Sequence, residues 1–254
     1  MKDPMTRQDL PALALAAWQQ EKTVRWFLDS VRGAIPLARE QFAVMLRIVE
    51  NGRQPVGRFL DLGAGDGVLT AVLLARYPTA EPMLVDFSRP MLAAAKERLA
   101  PLATQLTFVE VDLGTPFWRE AVEAYAPFDA IVSSFAIHHL EDERKRALYG
   151  ELLDLLIPGG TFAHIEHVAP DTPWMARTFD EAMIDAVWEY GRRTDQELTR
   201  AAAATAYANR LDRDANRLAP LDVQCSWLRE VGYTQLTAPF RWYEIAVFGG
   251  HRPA

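Results

Sequence analysis

Phe59-Leu60-Asp61-Leu62-Gly63-Ala64-Gly65-Asp66-Gly67-Val68-Leu69-Thr70 is the stretch that decides the fold of this chain. Its first four residues have the apolar character of a buried strand, and three glycines lead into a second apolar run that is typical of a helix. Glycine lets a backbone turn tightly and approach a ligand closely, and the amides that open the next helix face the same crevice. The stretch therefore predicts a strand, turn and helix that bind a small molecule carrying a nucleoside.

The charges of this turn indicate which ligand it binds. A dinucleotide-binding G-x-G-x-x-G sequence would place glycine at position 68, where the chain has Val68. Asp61 and Asp66 would repel a pyrophosphate, whereas they would attract an ammonium and a sulfonium. S-adenosylmethionine carries both of these cations and no phosphate, so we expect it as the cofactor.

The composition suits a globular protein that acts on a small molecule. Of 254 residues, 50% are hydrophobic and 24% are charged, and the formal net charge is -7. Binding of nucleic acid needs clustered Lys and Arg, so this charge argues against a nucleic-acid partner. The single cysteine, Cys225, fits a reducing cytosol. No apolar run approaches membrane-spanning length, so we expect a cytoplasmic protein without a membrane partner, and a homodimer stays an open alternative.

Short apolar runs alternate with amphipathic helices along the middle of the chain, which predicts a doubly wound α/β fold with a parallel sheet. Helices are also expected from about residue 9 to 50, with a break at 33–36. The basic run Arg144-Lys145-Arg146 is expected on the exposed side of its helix. The predicted strands are 59–62, 83–87, 106–111, 128–134 and 161–168, and the predicted helices are 67–77, 89–100, about 116–125 and 141–156.

The alternation stops at Pro170, and the chain to about residue 219 is expected to be a helical insertion that caps the crevice. Its side chains Trp174, Arg177 and Arg210 are candidates to line a substrate pocket. A last helix at 221–231 precedes two strand-like runs, 233–240 and 242–248, separated only by Arg241. These runs predict an antiparallel hairpin at the sheet edge. We expect a single domain over 1–254, with N-terminal helices to about residue 52, a core at 58–169 and 220–250, and the cap at 170–219.

Two further acids lie at the end of the second predicted strand and directly after the third. Asp86 lies about twenty residues past the glycine turn, where a carboxylate can accept both ribose hydroxyls. Asp112 lies where an adenine edge would need an acceptor for its exocyclic amine. A single such acid is as often a helix N-cap or a turn residue, but three at successive strand ends favour a nucleoside site.

These motifs resemble those of the class I S-adenosylmethionine-dependent methyltransferases of the small-molecule type. Residues 61–67 are similar to the family's first motif, 128–134 to its fourth-strand motif, and 156–160 to the turn before its fifth strand. The resemblance covers about residues 35–169 and 220–250, and it implies a Rossmann-like, seven-stranded, mostly parallel sheet with an antiparallel edge hairpin. It also implies in-line methyl transfer to a small-molecule acceptor, for which positioning and exclusion of water supply most of the acceleration.

The resemblance also implies which residues hold the cofactor. The methionine end is expected at Asp61 and the glycine turn, the ribose at Asp86 and the adenine at Asp112. The full set of expected cofactor contacts is Asp61, Gly63, Ala64, Gly65, Gly67, Asp86, Phe87, Asp112, Leu113 and Ser134.

Four of the five histidines fall near the ends of two neighbouring predicted strands. The fourth strand runs into His138 and His139, and the fifth ends in His164-Ile165-Glu166-His167. An acceptor that is a hydroxyl or a protonated amine must lose a proton, which such side chains can take. We favour His139 and Glu166 as catalytic residues, with His138 and His167 in reserve.

Other roles for these residues stay open at this stage. A histidine that stacks near the methionine arm would transfer no proton, and Glu166 would then anchor the cap. Two histidines and a carboxylate could hold a metal, but neither segment has a standard ligand spacing, so no metal is expected. The alternative functions are binding of S-adenosylmethionine or S-adenosylhomocysteine without transfer, and use of the bound sulfonium for non-methylating chemistry.

Overall fold

A computed structural model describes residues 16–102, 105–210 and 213–254. The chain divides into two compact units. The first, here called the sheet unit, comprises Arg39–Pro170 and Arg217–Ala254. The second, here called the helical unit, comprises the chain up to Ala38 together with Asp171–Asn216. A single domain with 170–219 as a cap stays a prediction, and residues 9–15 of the predicted first helix lie outside the described residues.

The elements follow the predicted alternation. The strands are β1 (Arg58–Leu62), β2 (Glu81–Asp86), β3 (Thr107–Glu110), β4 (Phe128–Ser134), β5 (Leu156–His167), β6 (Thr234–Trp242) and β7 (Ile245–His251). The α-helices are α1 (Glu21–Trp26), α2 (Ala38–Glu50), α3 (Val68–Arg76), α4 (Arg89–Leu99), α5 (Trp118–Val122), α6 (Asp142–Leu155), α7 (Pro173–Gly191), α8 (Arg200–Ala208) and α9 (Leu221–Val231).

The seven strands form one sheet in the order β3-β2-β1-β4-β5-β7-β6. Strands β1 to β5 are paired in parallel, whereas β7 pairs antiparallel with both β5 and β6. This confirms the doubly wound, mostly parallel sheet and its antiparallel edge hairpin. The ends of β1, β2 and β4 come together at one edge because these strands are neighbours and run in the same direction, so the topology gathers the segments that follow them.

The middle of the sheet forms the core. Phe59, Leu60 and Leu62 of β1 have no exposed surface, and neither does Ile131 of the neighbouring β4. Strands buried on both faces read as continuous apolar runs rather than as an alternation, which is why these segments could be recognised from sequence. Asp61 is the one charged side chain within β1 that shares this burial.

The main differences from the predicted boundaries lie at the start of β5 and at the hairpin turn. Strand β5 begins at Leu156, five residues earlier than expected, because Leu156 pairs with Phe128 across a register shift that accommodates the Pro158-Gly159-Gly160 run. The hairpin turn lies at residues 243–244 rather than at Arg241, which belongs to β6 and pairs with Ala246. Tyr243 takes the positive φ of 49° that the tight connection requires.

A helix cap and ion pairs stabilise the two longer helices of the helical unit. The Thr172 hydroxyl accepts the Met175 N–H at 3.1 Å at the start of α7. Arg200, at the start of α8, forms ion pairs with Asp185 and Glu181 of α7. Helix α1 continues into a π turn and a 3₁₀ turn that end at Ala34, where the sequence predicted a break. Within the described ranges, no helix combines the length and apolar character needed to cross a membrane.

Candidate functional site

The glycine turn after β1 has a backbone that glycine adopts most easily. The φ angle is 61° at Gly63, 53° at Gly65 and 73° at Gly67. A Cβ at Gly63 would clash with that of Ala136, so the turn packs directly against the segment that follows β4. A Cβ at Gly65 would meet no described atom within 4 Å. The turn thus has one packed side and one open side, and a ligand can approach the backbone on the open side.

Asp61, in β1 just before this turn, is a buried carboxylate with one unsatisfied oxygen. Its Oδ2 accepts a hydrogen bond of 2.6 Å from Thr70 Oγ1, while Oδ1 has no hydrogen-bond partner among the described residues. Burial raises the pKa of Asp61 to about 7; the Thr70 hydrogen bond opposes this rise, and the charges of Asp86 and Asp66 add to it. A buried carboxylate of this kind is costly in the free protein and is relieved by a cation.

Asp66, the second acid of the turn, is compensated by the protein itself. Its Oδ2 lies 2.5 Å from Nη2 of Arg98, and the Arg98 Nε donates to its backbone carbonyl at 2.9 Å. Asp66 is therefore already paired with a cation of the protein, and the attraction of a ligand cation by Asp61 stays a prediction. The partner lies in α4, 32 residues along the chain, where no local pattern connects the two.

Asp86 links the end of β2 to the glycine turn. Its Oδ2 accepts the Gly65 N–H at 2.8 Å and its Oδ1 accepts the Ser88 N–H at 2.7 Å. Burial raises the pKa of Asp86 to about 6 against these backbone hydrogen bonds. Each carboxylate oxygen can accept a second bond, so both retain capacity for hydroxyl donors.

The expected adenine end lies in the loop after β3. Asp112 is exposed, and its Oδ1 accepts the Gly114 N–H at 2.7 Å. This bond is typical of a turn residue, which is the alternative to a ligand-binding role for this acid. Leu113 is buried, whereas Phe87 and Ser134, at the ends of β2 and β4, are half-buried. The Val111 N–H donates to the Asp86 carbonyl at 3.0 Å, which ties this loop to the expected ribose ligand.

The basic run in α6 differs from the prediction. The Lys145 side chain is fully buried, and Arg144 is 13% exposed, so only Arg146 lies on the surface as expected. Lys145 shares the face of the helix that carries Leu148 and Leu152, three and seven residues on, and helical spacing could have indicated its burial. The charge of Lys145 is satisfied by Asp142 Oδ1 at 2.6 Å and by the Arg217 carbonyl.

Glu166 is the centre of the histidine cluster. It has no exposed surface, and it accepts four hydrogen bonds: from Nδ1 of His138 at 2.5 Å, the His138 backbone N–H at 2.9 Å, Nε2 of His164 at 2.8 Å and the His167 backbone N–H at 2.7 Å. Burial disfavours its ionisation, but the charges and hydrogen bonds of His138 and His164 outweigh that effect and hold the pKa of Glu166 well below its usual range.

The remaining histidines of the cluster are held in different ways. The ring of His139 lies against that of His138, with centroids 4.1 Å apart and the ring planes tilted by 49°. His164 stacks on Phe248 at 4.9 Å, and its Nδ1 is buried without a hydrogen-bond partner in the described ranges. His167 Nε2 bonds to Glu244 at 2.8 Å, and burial lowers the pKa of His167 in spite of that carboxylate.

The structure thus brings Glu166 together with His138 and His164, and it places His138 rather than His139 against the carboxylate. The cluster is also close to the glycine turn, because the 3₁₀ turn Ile137–His139 begins directly after Ala136, which contacts Gly63. The part of the chain that the structure describes contains no group of three or more His, Cys, Asp or Glu side chains arranged to hold a metal ion.

Comparisons with known proteins agree on the type of domain. A family described as "Methyltransferase domain" matches residues 59–160. An uncharacterised methyltransferase of Mycobacterium tuberculosis is 36% identical over 125 residues, which cover 46% of this chain and 58% of that protein. The demethylmenaquinone methyltransferase of Thermus thermophilus is 36% identical over 44% of this chain and 48% of its own length. The chain thus matches about half the length of these curated relatives.

Two further comparisons extend over most of the chain. A carboxy-S-adenosyl-L-methionine synthase of Chromohalobacter salexigens is 27% identical over 89% of this chain and 80% of its own length. The N-methyltransferase NodS from Bradyrhizobium japonicum, solved in complex with S-adenosyl-L-homocysteine, has a TM-score of 0.57 at 15% identity, and the alignment covers 97% of this chain and 100% of NodS. At this identity the likeness to NodS shows the fold alone.

Proposed function

We propose that this chain, of which residues 59–160 match a methyltransferase domain, transfers a methyl group from S-adenosylmethionine to a small-molecule acceptor. The cofactor, when bound, supplies a methyl group on a sulfonium that is open to in-line displacement. The single observation that carries the proposal is Asp61 Oδ1, a buried and unpartnered carboxylate oxygen next to a glycine turn with one open side. An ammonium group satisfies such an oxygen, and a phosphate would be repelled by it.

The remaining residues of the turn fit the same cofactor. The open side of Gly65 allows close approach to the backbone, and the second lone pairs of Asp86 fit the two hydroxyls of a ribose. Asp112 and Leu113 would contact the adenine, with Phe87 and Ser134 at the flanking strand ends. These assignments agree with the motifs of the family and remain proposals for this chain.

For the proton of the acceptor, we favour His138 as the base and Glu166 as a positioning residue. An ionised carboxylate offers about four lone-pair sites, and Glu166 uses them on four protein donors, so it has no capacity left for a substrate. A carboxylate that accepts from Nδ1 of His138 keeps a proton on that nitrogen, so the ring can take the proton of the acceptor only at Nε2 and only in its neutral form. The acceptor hydroxyl would give its proton to this nitrogen while its oxygen takes the methyl group.

This arrangement favours an acceptor whose oxygen becomes a good nucleophile on loss of a proton, such as a phenol or an enol. The net charge of -7 supports a small molecule rather than a nucleic acid. His139, favoured from the sequence, is the second choice for the base. Glutamine substitutions separate them: His138→Gln should lower kcat at saturating acceptor, and His139→Gln should lower it less.

The function is tested by cofactor binding and product analysis. Calorimetry with S-adenosylhomocysteine should show binding to the native protein and a large loss in Asp86→Asn. Asp129→Asn is a matched control, because Asp129 also accepts two backbone N–H bonds of 2.8 Å, from Gly57 and Arg58, at the opposite edge of the sheet. Formation of S-adenosylhomocysteine that depends on an added acceptor supports transfer. If the protein binds S-adenosylhomocysteine but forms no product in a screen of phenols, enols, amines and thiols, the result favours cofactor binding without methyl transfer.

A second candidate function is modification of S-adenosylmethionine itself. The match to a carboxy-S-adenosyl-L-methionine synthase spans 89% of this chain, and it therefore includes most of the helical unit as well as the sheet. Mass spectrometry of the cofactor distinguishes the two. Methyl transfer leaves S-adenosylhomocysteine, whereas carboxylation leaves a heavier derivative of S-adenosylmethionine and requires a carboxylate donor in the mixture.

A further inference from the structure

Arg144, near the start of α6, reaches across to the loop that follows β3. Its Nε donates to the Leu113 carbonyl at 2.7 Å. Its two terminal nitrogens donate to the two carboxylate oxygens of Glu151, both at 2.8 Å, which makes a bidentate pair within the same helix. Both side chains are largely shielded, at 13% and 19% exposure. This fork holds the Arg144 guanidinium in one orientation, with its remaining Nε–H directed at the loop.

The other end of the loop is held by the same carboxylate. Glu151 Oε2 also accepts the indole N–H of Trp118 at 2.6 Å, and Trp118, the first residue of α5, has no exposed surface. The loop between β3 and α5 is therefore fixed at Leu113 by Arg144 and at Trp118 by Glu151. From the sequence, Arg144 was expected on a solvated helix face. Local patterns could not reveal these contacts, because Arg144 lies 31 residues from Leu113 and Glu151 lies 33 residues from Trp118.

We propose that the Arg144–Glu151 fork positions the Asp112–Leu113 segment for the adenine ring and so acts as a specificity-determining element of the cofactor site. The inference rests on the proposed function, because it takes this segment as the adenine contact. The Leu113 carbonyl is drawn towards α6 while Asp112 is held in its turn by Gly114, so the loop is ordered before any ligand binds. A loop that is ordered in advance loses less conformational entropy on binding, and its acceptors stay at the distance that the adenine amine requires.

The expected effect follows from the bond that is removed. A hydrogen bond from a charged donor to a buried carbonyl is worth about tenfold to a hundredfold in an equilibrium constant. Loss of the fork should therefore weaken binding of S-adenosylhomocysteine by about that factor, raise the KM for S-adenosylmethionine similarly, and leave kcat nearly unchanged, because the reacting groups lie at other strand ends.

The experiment compares Arg144→Met with Arg146→Met. Arg146 lies two residues along the same helix and pairs with Glu230 at the surface, with 58% and 50% exposure, so its loss removes equal charge without touching the loop. Calorimetry uses two ligands, S-adenosylhomocysteine and its deaminated analogue S-inosylhomocysteine, which lacks the exocyclic amine. Hydrogen exchange of Gly114 and Thr115 in the free protein reports whether the loop has loosened.

The native protein and Arg146→Met should prefer the adenine ligand, and Arg144→Met should lose most of this preference together with protection at Gly114 and Thr115. An equal loss of affinity for both ligands, with the preference intact, would overturn the inference in favour of a general structural role. Unchanged affinity for both would overturn it as well. If Arg144→Met does not fold, Arg144→Lys, which keeps the charge but cannot form the fork, serves in its place. If the native protein binds neither ligand, the proposed function itself is wrong. A result for Arg144→Met alone bears only on the role of the fork.

Discussion

The pH dependence of cofactor binding tests the role of Asp61 directly. Its pKa of about 7 means that the free protein is only about 1% ionised at this residue at pH 5 and about half ionised at pH 7. If the bound cation requires the carboxylate, affinity for S-adenosylhomocysteine should be about 50-fold lower at pH 5 than at pH 7, which is about 2.3 kcal/mol. The ligand carboxylate and ammonium keep their charges across this range, so the change comes from the protein.

The substitution Asp61→Asn isolates this residue from its neighbour. Asp86, with a pKa of about 6, also gains charge between pH 5 and 7 and multiplies the effect of Asp61 by at most about tenfold, so the native ratio lies between about 50-fold and about 500-fold. Asp61→Asn should bind S-adenosylhomocysteine weakly, and the ratio of its affinities at pH 7 and pH 5 should fall to about tenfold or less. Calorimetry in two buffers of different ionisation enthalpy should also show release of about one proton on binding to the native protein near pH 6.

The same substitution should stabilise the free protein. A carboxyl whose pKa rises from 3.8 to about 7 on folding contributes stability that is fully present below pH 3.8 and is lost as the pH rises through 7, to a total of about 4 kcal/mol. The amide of Asn leaves a buried donor unpaired, which costs about 1–3 kcal/mol. Asp61→Asn should therefore gain about 1–3 kcal/mol at pH 8, measured by urea unfolding. Equal affinity at pH 5 and 7, or a variant that is less stable at pH 8, would refute this account of Asp61.

Other substitutions test the turn and the buried polar groups. Gly65→Ala should lose cofactor affinity, whereas Gly159→Ala, which has a similar φ of 76° far from the turn, should lose only a comparable stability of about 1 kcal/mol, by calorimetry and thermal unfolding. Glu166→Gln should destabilise the protein by about 3–5 kcal/mol at pH 7. Because the pKa of Glu166 is depressed, that contribution is present above about pH 4.5 and disappears on acidification, so the variant and the native protein should converge at low pH in urea titrations. Lys145→Met should cost about 1–3 kcal/mol in the same assay, because it removes the hydrogen bond from the buried ammonium to the Arg217 carbonyl, and an unchanged midpoint would contradict the assigned contact.

Local patterns in the sequence predict the sheet, because the physical requirements of each element are local. Strand β4 is a continuous apolar run since it is buried on both faces, and the turn at Gly63 needs glycine for its φ of 61°. The same reasoning gave the correct direction of the edge hairpin. It placed the start of β5 too late, because the pairing of Leu156 with Phe128 is decided by a neighbouring strand and not by the residues of β5 itself.

The partners within the site could not be predicted in this way. Asp66 pairs with Arg98, and Glu166 pairs with His138 rather than with His139. Both pairings depend on how helices and strand ends pack against one another, which local sequence does not reveal. Side chains alternate along a strand, so His164 and Glu166 of β5 share one face, and their bond of 2.8 Å agrees with this alternation. It carried no information on the short turn at 137–139, which decides which of two adjacent histidines meets the carboxylate.

Asp61 and Glu166 show how a structure distinguishes a carboxylate kept for a ligand from one that serves the scaffold. Both are buried, yet their pKa values move in opposite directions. Glu166 is saturated by donors from its own chain, so it is ionised at a low pH and stabilises the turn that carries His138. Asp61 receives a hydroxyl bond from Thr70, which offsets only part of the cost of its burial, and its Oδ1 has no hydrogen-bond partner among the described residues. Such a cost is expected where a cation completes the site, which is why we propose Asp61 for the charged end of the cofactor and a scaffold role for Glu166.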